Sequence, residues 1–147
     1  MKTFLLLLLQ CIFFDSNAQI RNNDYYTLID SAISLRIHKV SDTFGNLYLI
    51  DENNLPYLYL PIKASTQFKS LQIYDSKSKA ILKKGINALK ILPELKNNKF
   101  TVDLIDYKVS FKKGEYFFLN GGGVKVIFEY SCSEQKWALL EFKNIRN

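Results

Sequence analysis

The stretch Phe100-Thr101-Val102-Asp103-Leu104-Ile105-Asp106-Tyr107-Lys108-Val109-Ser110-Phe111 decides the fold. Phe100, Val102 and Leu104 alternate with polar residues. Ile105, Tyr107, Val109 and Phe111 then alternate in the opposite phase. Alternation with period two is the pattern of a strand with one buried side. The one-residue slip at Leu104-Ile105 predicts a β-bulge that bends the sheet.

Working downstream, Lys113-Gly114 turns the chain into a strand over Glu115 to Leu119. Asn120-Gly121-Gly122-Gly123 reads as a second turn. Val124, Val126, Phe128, Tyr130 and Cys132 share the face of a further strand, and Trp137 to Phe142 forms the last one. The pattern predicts an antiparallel meander of about four strands. Cys132 ends an apolar row, so its thiol is expected in the core.

Upstream, Ile86 to Leu92 reads as a strand stopped by Pro93, and Asn97-Asn98 as a turn. Ser76 to Lys84 resembles one short helix with Gly85 at its C-cap. Phe68 to Asp75 reads as a strand. Leu47–Ile50 and Leu55–Leu60 read as a hairpin around Asp51-Glu52-Asn53-Asn54, after a Thr43-Phe44-Gly45-Asn46 turn. Over residues 24–38, Tyr25, Leu28, Ala32 and Leu35 recur at helical spacing, as do Tyr26, Ile29, Ile33 and Ile37. This amphipathic helix needs a surface to cover, most simply the sheet. The expected fold class is α+β: an N-terminal amphipathic helix packed on a curved antiparallel β-sheet.

The first eighteen residues read as an export address. Lys2 is followed by an apolar run from Phe4 to Phe14 broken only by Gln10, and Ser16-Asn17-Ala18 supplies small residues at a cleavage site. The run is too short to span a bilayer, which takes about 20 apolar residues. Cys11 sits inside the run after Gln10, unlike a lipidated cysteine, and reads as a small hydrophobe. The expected organisation is a signal peptide over 1–18 and one α+β domain over 19–147, periplasmic or extracellular after cleavage following Ala18, with no transmembrane anchor in the mature form.

The Gly121-Gly122-Gly123-Val124 to Glu129-Tyr130-Ser131-Cys132 stretch, Trp137, and the Lys84-Gly85-Ile86 and Asn97-Asn98 turns resemble small secreted proteins of Bacteroidota-type bacteria. The resemblance covers the C-terminal half and implies no activity or catalytic residue. The helix-plus-curved-sheet layout is similar to cystatin-like and NTF2-like folds, an analogy of fold alone.

Composition narrows the function classes. The 147 residues are 48% hydrophobic and 23% charged, a globular balance that argues against disorder. One histidine and two cysteines do not supply a zinc cage, and no metal or cofactor is implied. No catalytic residue is assigned. His38 stands one helical turn from Ser34 but has no orienting acid beside it. Asp103 and Asp106 are the best carboxylate pair for glycoside hydrolysis, yet three positions apart they point to opposite faces of a regular strand. The triple glycine precedes a strand rather than a helix, which suits a turn better than a phosphate cradle.

Charge is the strongest functional signal. Residues 76–99 contain Lys77, Lys79, Lys83, Lys84, Lys90, Lys96 and Lys99 against Glu94, which accounts for the whole formal +6. Such a segment can attract an anionic glycan, lipid headgroup or acidic protein, or it can be a solvated face. Arginine and periodic aromatics are missing there, so no nucleic-acid groove is expected. Lys77, Lys79, Lys83 and Lys84 are the candidate basic patch. Tyr57 and Tyr59, on one face of a short strand, are the candidate aromatic contacts. The leading expectation is a secreted or periplasmic non-catalytic binding module for an anionic or macromolecular partner. The alternatives are a glycan-active hydrolase using paired carboxylates and a protein-interaction or immunity-type inhibitor.

Overall fold

The computed structural model describes residues 22–39, 47–58 and 68–145. The expected signal segment, Cys11, the Thr43–Asn46 turn and Tyr59 lie outside them. The elements are helix α1 (Asn22–Lys39), β1 (Leu47–Ile50), β2 (Phe68–Lys69), a 3-10 turn (Ser76–Ser78) running into helix α2 (Lys79–Lys84), β3 (Ile86–Lys96), β4 (Lys99–Lys112), β5 (Glu115–Ser131) and β6 (Lys136–Ile145). The strands form one sheet in the order β2-β1-β3-β4-β5-β6. β1 runs parallel to β2 and β3, and every later pair is antiparallel. The class is α+β with a helix packed on the sheet.

Two apolar clusters lie on opposite faces of this sheet. On one face α1 lowers Leu28, Ile29, Ala32 and Ile33 onto Leu49, Leu89, Ile91, Phe100, Val102, Leu104, Val124 and Val126. Burying each large aliphatic side chain there stabilises the fold by roughly 1.5–3 kcal/mol. On the other face Ile50, Ile86, Ala88 and Val109 meet Ile73 and Leu82, the latter from α2. Adjacent residues of one strand therefore serve different cores: Leu49 and Ile50 in β1, Ala88 and Leu89 in β3.

This arrangement explains the phase slip in β4. β3 and β4 stay in register from Ile86↔Val109 to Lys96↔Lys99 without a break. The buried parity changes because the buried face changes, from the α1 side at Phe100–Leu104 to the α2 side at Val109. The bulge exists as well, but between β4 and β5. Ile105 pairs with Gly123 and Tyr107 with Asn120, so Asp106 stands against two glycines, Gly121 and Gly122. Even-numbered residues of β5 cross from one core to the other at that point: Tyr116 and Phe118 pack in the second cluster, Val124 and Val126 in the first.

The triple glycine is therefore not a hairpin turn. It lies inside β5, where the expected strands Glu115–Leu119 and Val124–Cys132 are one 17-residue strand. The backbones are too close for side chains. A Cβ on Gly123 would come within 2.2 Å of the Leu104 carbonyl oxygen, and one on Gly122, at φ +92°, within 2.8 Å of that of Ile145. The Asn120 side chain accepts a hydrogen bond from the Gly122 N–H at 2.8 Å and holds the bulge.

Three further expectations are corrected. Pro93 does not stop β3, which continues to Lys96. Pairing with β1 ends at Lys90, so Pro93 lies where the second edge carries no strand among the described residues, and such an edge tolerates a missing N–H. The Phe68–Asp75 strand shrinks to Phe68–Lys69. The Leu47–Ile50 hairpin keeps its turn but only one bridge, Ile50↔Pro56, because β1 spends its ladder on parallel neighbours. Asp51 forms that turn by accepting the N–H groups of Asn53 and Leu55, both at 2.8 Å.

Candidate functional site

The lysines of residues 76–99 do not form one surface. β3 carries the chain about 30 Å from Ile86 to the Asn97-Asn98 turn. Lys96 and Lys99 flank that distant turn, with Lys99 lying 3.9 Å from Glu129, and Lys90 donates to the Asn54 side-chain oxygen at 2.9 Å. Lys77, Lys79, Lys83 and Lys84 remain together on the 3-10 turn and α2.

Their positions follow from local structure. Asp75 caps the 3-10 turn by accepting the Lys77 N–H at 2.9 Å, and Ser78 Oγ donates to the Gln72 carbonyl at 2.6 Å. Leu82 is fully buried, so the neighbouring Lys83 and Lys84 are turned to solvent. Lys79 places its ammonium 5.0 Å over the Phe111 ring, a cation–π contact. Gly85, at φ +81°, ends the helix. Lys84 lines an open depression of about 500 Å³ with Tyr48, Ala80, Ile81, Gly85, Ile86 and Asn87.

The antiparallel hairpin adds cations that sequence spacing alone does not group with these. Asn87 pairs with Lys108, which brings Lys108, Lys112 and Lys113 back to the α2 end of the sheet. The stem of Lys108 passes beside Gly85: a Cβ there would lie 3.8 Å from its Cε. Counting residues back from the Asn97-Asn98 turn would have found this pairing. Asp75 and Glu115 are the acids on the segments that carry these lysines.

The carboxylate pair is not brought together. Asp106 projects to the α1 side and binds Arg36 at 2.5 Å, whereas Asp103, on the opposite face, pairs with Lys125 at 3.1 Å. Each carboxylate is matched by a cation, and the sheet lies between them. His38 is exposed near the end of α1. Among the described residues no group of three or more His, Cys, Asp or Glu could hold a metal ion, and no helix is long and apolar enough to cross a membrane.

Tyr57 is half-buried and packs against the first core, and Tyr59 lies outside the described residues. Cys132 is corrected outright: its thiol is exposed. β5 ends at Ser131, so the period-two pattern overruns the strand by one residue, and Cys132 opens the turn before Lys136.

No family model, curated protein or solved structure matches the chain.

Proposed function

We propose that this protein is an exported, non-catalytic binding module whose α2 end holds an anionic partner. The observation that carries the reading is the grouping of Lys77, Lys79, Lys83 and Lys84 on α2 and its entry turn, at the end of the sheet to which β3–β4 pairing also returns Lys108, Lys112 and Lys113. Clustered ammonium groups attract anions over a screening length of about 8 Å at physiological ionic strength. The open depression beside Lys84 supplies a concave, part-apolar contact next to the charge.

Export rests on the apolar run and the Ser16-Asn17-Ala18 boundary. The natural product should begin at Gln19, and N-terminal sequencing that returned Met1 would refute it. Binding is tested with the 19–147 chain on an acidic polysaccharide and on vesicles containing anionic lipid. Retention that weakens as salt rises supports the proposal, and absence of retention by both at low salt defeats it.

A further inference from the structure

A second concavity lies at the opposite end of β1 from the α2 lysines, beside the turn whose Asn54 accepts from Lys90. The first turn of α1, the Asp51–Asn54 turn and the segment after it enclose an open cleft of about 440 Å³. Its walls are Tyr25, Tyr26, Asp51, Pro56, Tyr57 and Leu58. Among the described residues they comprise three phenol rings, two aliphatic surfaces and one carboxylate, in a chain whose formal charge is +6.

The geometry is that of a partial aromatic box. Tyr25 and Tyr26 stand edge to face, centroids 5.2 Å apart and planes at 88°, so two walls meet at nearly a right angle. Phe100 braces Tyr25 from the core at 5.5 Å. The Asp51 carboxylate is fixed at the rim, because one oxygen is held by two backbone N–H groups of its own turn. Glu52 follows it. Burial, more than the neighbouring Tyr26 and Glu52, raises the Tyr25 phenol above its ordinary pKa and keeps the ring neutral.

We propose that this cleft binds an alkylated ammonium group, of the quaternary or methylated-amine class. Aromatic faces carry the negative part of the ring quadrupole and attract cations, most effectively cations that shed water easily. A trimethylammonium group offers apolar methyls to the rings and to Pro56 and Leu58 while its charge faces Asp51. A compact metal ion would need several oxygen ligands, which these walls lack.

The proposal is independent of the lysine site and is tested separately. Choline and its uncharged isostere 3,3-dimethyl-1-butanol are titrated against the 19–147 chain, with the tyrosine ring resonances as readout. Choline should shift the rings of Tyr25, Tyr26 and Tyr57, and the isostere should bind about tenfold more weakly or worse. Asp51→Asn keeps an oxygen for the turn and Tyr26→Leu removes a part-exposed wall. Each should weaken choline binding at least about threefold, Asp51→Asn with no change in the isostere's affinity and Tyr26→Leu with a smaller loss for the isostere than for choline. Equal binding of the two probes overturns the proposal. So does the absence of any ring shift with choline, or a shift of these rings by a neutral monosaccharide alone.

Discussion

Arg36 reaches from α1 to Asp106, at 2.5 Å, where β4 faces the glycine bulge. The Arg36 side chain is 3% exposed and that of Asp106 24%. The pair fastens the helix to the residue that drops out of register with β5. Removing the carboxylate leaves a desolvated guanidinium short of its anionic partner. Asp106→Ala should therefore cost about 3 kcal/mol, and the double change Arg36→Met/Asp106→Leu should cost less than Asp106→Ala alone. Urea unfolding midpoints measure both, and an Asp106→Ala variant as stable as the parent would show that the pair contributes nothing.

The glycines separate two kinds of cost. A methyl on Gly123 meets the Leu104 carbonyl at 2.2 Å within the ladder, where neither backbone can yield without breaking hydrogen bonds. Gly114 has φ +89° in the β4–β5 turn, but nothing lies within 4 Å of an added Cβ. Gly114→Ala should cost about 1 kcal/mol of backbone strain, whereas Gly123→Ala should cost about 3 kcal/mol or more. Comparable thermal midpoints for the two variants would contradict the close approach described here.

These two sites also mark how far the sequence was legible. The helix and the class follow from periodicity, and so do the C-terminal strands segment by segment, because each stretch on one side of the β4–β5 bulge has one dominant buried face. Leu49 next to Ile50, and Ala88 next to Leu89, do not, since a strand sandwiched between two partial cores buries neighbours on both sides. The glycine triplet reads as a turn for a related reason. Its local chemistry suits a turn as well as a bulge, and only the facing carbonyl of Leu104 distinguishes them. The parallel placement of β1 and the return of Lys108 to the α2 end depend on long-range pairing that no local pattern encodes. The Lys77–Lys84 group was legible because one short helix holds it.

Exposure of Cys132 reverses the behaviour expected of a core thiol. It sits in a turn where Ser131 Oγ lies 3.1 Å from Ser133 Oγ and accepts the Glu134 N–H at 3.3 Å. The folded chain should react with a thiol reagent about as fast as the denatured chain. Cys132→Ser should change stability by no more than about 0.5 kcal/mol. Labelling that requires unfolding would place the thiol in the core after all.

Asp30 predicts a pH dependence. Burial raises its carboxyl above the ordinary carboxylate range, and Oδ1 is buried without a hydrogen-bond partner. The native chain thus holds this proton more tightly than the unfolded chain. Between the ordinary pKa and the raised native value the native state binds more protons, so this group's contribution to stability falls as pH rises through that window. Above it the full penalty of a buried carboxylate remains. Asp30→Asn should gain stability relative to the parent at neutral pH and lose that advantage near about pH 4. Parallel urea titrations across the window read the crossing, and a constant difference at every pH would remove Asp30 as its source.

The lysine site makes the last prediction, because the sequence and the fold group its cations differently. Lys77, Lys79, Lys83 and Lys84 are close in the chain, whereas Lys108, Lys112 and Lys113 return to the same end of the sheet only through β3–β4 pairing. Changing the first four to Gln tests the patch, and changing the last three tests its spatial extent. Neither set includes a buried apolar residue, so stability should shift little. The exception is loss of the Lys79–Phe111 contact, worth about 0.5–1 kcal/mol when exposed. If one surface binds the anion, both variants should weaken retention on the acidic polysaccharide and make it less sensitive to salt, since fewer ion contacts remain to be screened. A quadruple variant that binds like the parent would mean that the α2 lysines are a solvated face. If the quadruple variant loses binding and the triple variant keeps it, the partner contacts α2 alone, and the hairpin lysines do not belong to the site.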